Sequence, residues 1–120
     1  MAFKFTKFDC VDNTGVQFVK TIHVYKSPII KPCSIILVSI KKVLPNKKLK
    51  KGQIYKAVVV RLARKVQRLS GITVNYRQNG IVLLKKNELL PVGTRIFGSV
   101  YFENRVYGFM KIVSLSSFLV

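Results

Sequence analysis

Ile54 to Leu62 reads IYKAVVVRL, and this stretch decides the fold. Ala57 to Val60 is an uninterrupted apolar run held between Lys56 and Arg61, rich in β-branched side chains that lose rotamer freedom in a helix and pack well on a pleated sheet. A strand that is apolar on both faces must be covered twice. One cover is expected to be a barrel interior, and the other an RNA or a neighbouring protein. Working outward, Ile35 to Val43 is a second β-branched run, suited to a central barrel strand and ended by Pro45. The intervening segment, Pro45 to Gly52, carries Lys47, Lys48, Lys50 and Lys51 and reads as a basic, hairpin-like loop.

Nearer the start of the chain, Phe3, Phe5, Phe8 and Cys10 alternate with polar residues as in a half-buried strand with one irregularity. Asp12-Asn13-Thr14-Gly15 then turns the chain, because Asn and Gly tolerate positive φ. A second strand follows at Val16 to Tyr25, with Val16, Phe18, Ile22 and Val24 on one face. Lys20 falls awkwardly on that face and predicts a bulge or a strand end. Ser27-Pro28 and Lys31-Pro32 bracket a loop. Later, Ile72 to Tyr76 and Ile81 to Leu84 read as two short strands joined through Arg77-Gln78-Asn79-Gly80, whose Asn-Gly pair is a turn signal.

Several short strands at close spacing favour an all-β fold, a small closed barrel or a sandwich, and a barrel removes exposed edges. Beyond Gly98, Phe102, Val106, Phe109 and Val113 recur at helical spacing, which Gly108 is expected to split into two short helices. The expected organisation is one domain over residues 1–120: a barrel over 1–84, then a tail of loops and short helices over 85–120.

A chain of 120 residues and 13.7 kDa suits one domain. Its hydrophobic fraction of 49% supplies a core and argues against a disordered basic tail. Charge is the most informative bulk property: 22 Lys plus Arg stand against 4 Asp plus Glu, a net +18. Self-repulsion of that size is relieved by a dense polyanion, and nucleic acid is the commonest one because each neutralised phosphate releases counterions. Membrane insertion is not expected, since no apolar run approaches the ~20 residues of a spanning helix. Cys10 and Cys33, with no close pair, read as free thiols of a reduced compartment. Met1 to Phe8 resembles neither a signal core nor an Arg/Ser-rich presequence, so synthesis is expected in the compartment where the protein works.

Two basic constellations stand out. The loop lysines, with Lys41 and Lys42 at the end of the preceding strand, form one; Arg61, Arg64, Lys65 and Arg68 form the other, and Arg77 sits in the later turn. Charge runs are usually solvated faces. Here almost no interleaved acid pairs them, so these residues are read as RNA-binding, with backbone and shape recognition dominating over base readout. Phe3, Phe5, Phe18, Phe97, Phe102 and Phe109 fit buried periodicities, leaving Tyr76 as the best candidate for base stacking. His23 is expected on a strand surface, with no nucleophile or orienting acid beside it in sequence. Neither a zinc-ligand spacing nor a glycine-rich phosphate loop occurs. Four carboxylates leave a paired-carboxylate or metal nuclease little material. No enzyme, metal or cofactor is expected.

Several stretches together resemble the family of large-subunit ribosomal protein fourteen. They are Asp12-Asn13-Thr14-Gly15, Lys50-Lys51-Gly52 with Lys56 to Arg61, Pro91 to Gly98 (PVGTRIFG), and Phe109 to Leu115 (FMKIVSL). The chain departs from that pattern in three places. Tyr25 to Ser34 is short, Arg77 and Gly80 replace an acid and an alanine, and Ser99 replaces a proline. The resemblance implies a five-stranded closed β-barrel with a C-terminal region of loops and short helices, on the intersubunit face of the large subunit. It implies binding to large-subunit rRNA, packing beside other large-subunit proteins, and bridges to small-subunit rRNA. It also implies a docking surface for a ribosome silencing factor at Thr94, Arg95 and Lys111. A free barrel-type RNA-binding protein or RNA chaperone is the competing function. Lysine-heavy, isoleucine-rich and alanine-poor usage points to an AT-rich genome and a mitochondrial ribosome, with the bacterial cytoplasm or a plastid as alternatives.

Overall fold

The computed structural model describes residues 7–45 and 47–120; the strand positions expected at Phe3 and Phe5 lie outside them. In chain order the elements are β1 (Lys7–Cys10), β2 (Val16–Val24), β3 (Ile35–Val43), β4 (Ile54–Arg61), β5 (Val66–Gln67), β6 (Thr73–Val74), β7 (Gly80–Leu83), β8 (Ser99–Val100), α1 (Glu103–Val106), α2 (Met110–Leu115) and β9 (Phe118–Leu119). Strands β1, β2, β3, β4 and β7 form a closed five-stranded barrel. Its neighbours pair antiparallel except at the seam, where β1 and β7 run parallel, Cys10 opposite Ile81. The fold is therefore all-β with a small helical C-terminal region, as the sequence and its resemblance imply.

Directly paired residues share a face of a sheet, so the register identifies the barrel interior. Phe8 pairs Val19, Val19 pairs Ile40, Thr21 pairs Val38, Ile36 pairs Ala57, Ala57 pairs Leu83 and Val59 pairs Ile81. All ten of these side chains are fully buried. Nine are apolar; the tenth, Thr21, buries its hydroxyl without a partner among the described residues. The opposite face of the same strands carries Val58 and its partner Val82, with Val60 and Leu84, also fully buried. That second cover comes from the chain itself. Ile30 of the loop before β3, and Ile96, Val100, Tyr101, Phe109 and Ile112 of the C-terminal region, join one continuous core with the barrel strands. No RNA or neighbouring protein is needed to cover β4, which corrects the sequence expectation.

Three further expectations are corrected. In β2 the inward set is Val19 and Thr21 rather than Phe18 and Ile22, because register shifts at Val16/Phe18 and Phe18/Val19 flip the alternation before Lys20 is reached. The predicted irregularity exists, and Lys20 is exposed. Residues 72–76 and 81–84 do not form a hairpin: β6 folds back on β5, whereas β7 enters the barrel between β4 and β1. The β5–β6 turn closes at Gly71, whose φ of +87° favours glycine, with its N–H donated to the Arg68 carbonyl. In the tail, α1 and α2 flank Gly108 as expected. Their buried residues, however, are Asn104 and Ile112, with Phe109 between the helices, and Phe102 and Val106 face outward.

Candidate nucleic-acid interface

The loop between β3 and β4 is shaped by backbone bonds. Gly52 N–H donates to the Ile40 carbonyl, Ile40 N–H to the Gln53 carbonyl, and Leu44 N–H to the Gly15 carbonyl. The Gln53 side chain accepts from Lys50 N–H at 2.9 Å. These bonds bring the end of β3 and the loop around one open groove of about 490 Å³ lined by Lys41, Lys42, Lys47, Lys50 and Lys51 with Val43, Leu44 and Leu49. Lys48 is exposed on the same loop. No carboxylate lines the groove, and all these lysines are exposed. Crowded, unpaired ammonium groups repel one another, and a phosphate backbone threading between them removes the repulsion.

The second basic stretch has a different position. Arg61 donates from Nε to the Ser99 carbonyl at 2.9 Å and from Nη2 to the Phe97 carbonyl. Burial lowers the pKa of this guanidinium. Arg68 forms an ion pair with Glu103, Nε lying 2.7 Å from Oε1 and Nη2 donating to Oε2 at 3.1 Å, and also donates from Nη2 to the Val120 carbonyl. Between them, the Leu62 N–H donates to the Tyr101 hydroxyl at 3.2 Å, and Tyr101 is fully buried, its pKa pushed up to about 12 by that burial. Arg61 thus binds the C-terminal region to the barrel, and Arg68 binds it to the β5–β6 hairpin. Arg64 is half-buried and Lys65 and Arg77 are exposed.

The Asp-Asn-Thr-Gly turn is a receptor for the later PVGTRIFG segment. Asp12, nearly buried, accepts from Cys10 Sγ at 2.9 Å, Thr14 Oγ1 at 2.6 Å and Leu83 N–H at 3.3 Å. Asn13 donates from Nδ2 to Thr94 Oγ1 at 2.8 Å, while its Oδ1 accepts from the Thr94 and Arg95 amides at 2.9 and 3.3 Å. A Cβ on Gly93 would lie 2.8 Å from Asn13 Oδ1, so glycine is required for this approach. Thr94 and Arg95 are held exposed by this clamp, and Lys111 is exposed on α2. The central role of Asp12 was hidden because an acid in a turn reads only as a turn former. Burial, and then the Asp12 charge, raises the Cys10 thiol pKa; burial pushes the Cys33 thiol up to about 12.

The aromatics divide differently from the expectation. Phe97 and Phe102 are about half exposed at 52% and 45%; the Phe97 N–H donates to the Val11 carbonyl just after β1 and the Phe102 N–H to the Val120 carbonyl of the tail. Phe18 is half-buried under Lys7, whose Nζ lies 3.9 Å from the ring centroid. Tyr76 is not a free stacking platform: its ring meets Tyr101 edge-on at 5.2 Å and its hydroxyl lies 3.2 Å from Ser99 Oγ. His23 is exposed on β2 against Tyr25. Among the described residues no cluster of His, Cys, Asp and Glu is placed to hold a metal ion, and no helix is long and apolar enough to cross a membrane.

A five-stranded barrel, a carboxylate-free lysine groove and a turn that clamps a distant Gly-Thr-Arg segment account for the motifs that first suggested a ribosomal relationship. The sequence model of the family Ribosomal protein L14p/L23e matches residues 1–120, so this chain belongs to that family and has the role of a large-subunit ribosomal protein, structural rather than enzymatic.

Proposed function

We propose that the chain binds large-subunit rRNA through the groove formed by Lys41, Lys42, Lys47, Lys50 and Lys51 with the neighbouring Lys48, and supports bridges to small-subunit rRNA. The observation that carries this reading is that exposed lysines converge on one groove with no carboxylate in its lining, on a chain of net charge +18. Lysine is a compact point charge on a flexible stem, so the contacts fall on phosphates and the preference is for RNA shape over sequence. Lys65 and Arg77 add exposed contacts; Arg61, Arg64 and Arg68 contribute the donors left over from packing.

Replacing Lys47, Lys48, Lys50 and Lys51 by alanine tests the assignment by filter binding to structured RNA across a salt series. Loss of two or three phosphate contacts flattens the log-log salt slope by roughly two units. An unchanged slope returns the loop to solvent.

The clamp at Asn13 supports a second contact, between Thr94, Arg95 and Lys111 and an acidic face of a ribosome silencing factor, through charge-assisted hydrogen bonds. Charge reversal at Arg95 and Lys111 is expected to weaken factor binding to isolated large subunits that still assemble. Normal factor binding, or failure of the variant to enter the subunit, overturns this assignment. Residue usage supports a mitochondrial ribosome as the host particle.

A further inference from the structure

Away from the lysine loop, a second open groove of about 630 Å³ is lined by Arg61, Asn75, Tyr76, Arg77, Gln78, Gly98, Ser99 and Phe118. Its chemistry differs from that of the first. Phe118 on β9 presents an exposed ring (61%) beside Ser99, with which it pairs in register. Tyr76 is fixed by its edge-on contact with Tyr101 and by Ser99 Oγ. Asn75 and Gln78 are exposed amides, able both to donate and to accept. Arg77 is exposed at the rim, and Arg61 is half-buried with the Ser99 and Phe97 carbonyl oxygens as its partners among the described residues. No carboxylate lines this groove either.

We infer that this groove takes one unstacked nucleotide of a bound RNA, its base on the Phe118 ring and against the Asn75 and Gln78 amides, its phosphate facing Arg77. Each component has a physical reason. An exposed phenyl ring offers a π-face to any base, whereas amides discriminate base edges by paired donors and acceptors. A half-buried guanidinium whose partners are carbonyl oxygens gains from a phosphate nearby, and burial is what lowers the pKa of Arg61. A bulged or looped nucleotide is the species that presents base and phosphate together, since duplex bases are stacked away. The volume lies within the roughly 300–1,000 Å³ of small-ligand sites.

This inference rests on the proposed RNA binding, and the experiment separates the two. The full chain is titrated with an RNA hairpin carrying one bulged adenosine, and with the same hairpin abasic at the bulge, across a salt series. The bulged base is expected to tighten binding by about five- to a hundredfold, the range of one base-aromatic stack. That preference persists at high salt, disappears in Phe118→Ala, and survives the Lys47, Lys48, Lys50 and Lys51 alanine variant. Phe118 is exposed, so its truncation leaves the fold intact, and circular dichroism of the variant verifies this. Equal affinity for the two hairpins, or a preference that Phe118→Ala retains, overturns the nucleotide site while leaving salt-dependent RNA binding in place, and assigns the groove to a protein neighbour. Absence of any RNA binding overturns both.

Discussion

Thr21, paired with Val38, buries its hydroxyl in the barrel, where no donor or acceptor among the described residues meets it. An unpartnered hydroxyl in such a place costs about 1–3 kcal/mol relative to a group that makes no demand. Thr21→Val keeps the branched shape and removes the demand, so it is expected to raise unfolding stability by about 1 kcal/mol, read from the urea midpoint at constant slope. A loss of stability would mean that the hydroxyl finds a partner in solution. Thr21 could not be identified from the sequence, because a bulge two residues earlier decides which side of β2 faces in. Asn13 is the opposite case. Its turn is legible at once, but its bonds to Thr94 and Arg95 join residues more than eighty apart, and no local pattern announces them.

At the scale of elements, β4 is the organising strand. Its two faces were legible as apolar from the run Ala57 to Val60; what covers the outer face was not, since that depends on where Ile30, Tyr101 and Ile112 return. Because both covers belong to the chain, Val59→Asp and Val60→Asp are each expected to destabilise the isolated protein by more than about 3 kcal/mol, through a buried carboxylate with no partner. Denaturant titration without any ribosomal component checks this. Val60→Asp folding normally alone and failing only in subunit assembly would restore an external cover. The β5–β6 hairpin was missed for a physical reason as well: two-residue strands carry no readable alternation, and the Asn79-Gly80 signal belongs to the entry into β7 instead. The split at Gly108 was legible because glycine at positive φ interrupts a helical period wherever it falls. The buried side of those helices was not, since each is too short to define a face.

At the scale of the whole molecule, +18 is carried by a chain whose core is nearly free of ionisable groups, and its basic residues have two jobs. Exposed lysines gather around the groove at the end of β3, while Arg61 and Arg68 use their planar, multiple donors to bind the C-terminal region to the barrel and to the β5–β6 hairpin respectively. Charge in the sequence predicts a polyanionic partner without distinguishing these two uses; only the fold shows that Glu103 returns to Arg68. The family match gives the ribosomal role, and the lysine groove supports the proposal that the chain holds RNA there. Sedimentation of native ribosomal particles through a sucrose gradient, with the chain followed by antibody, tests that account most directly. The chain is expected to travel with the large subunit at moderate salt and to be released only as rising salt screens its phosphate contacts. Recovery at moderate salt in free fractions, or with RNA lighter than the large subunit, would contradict it.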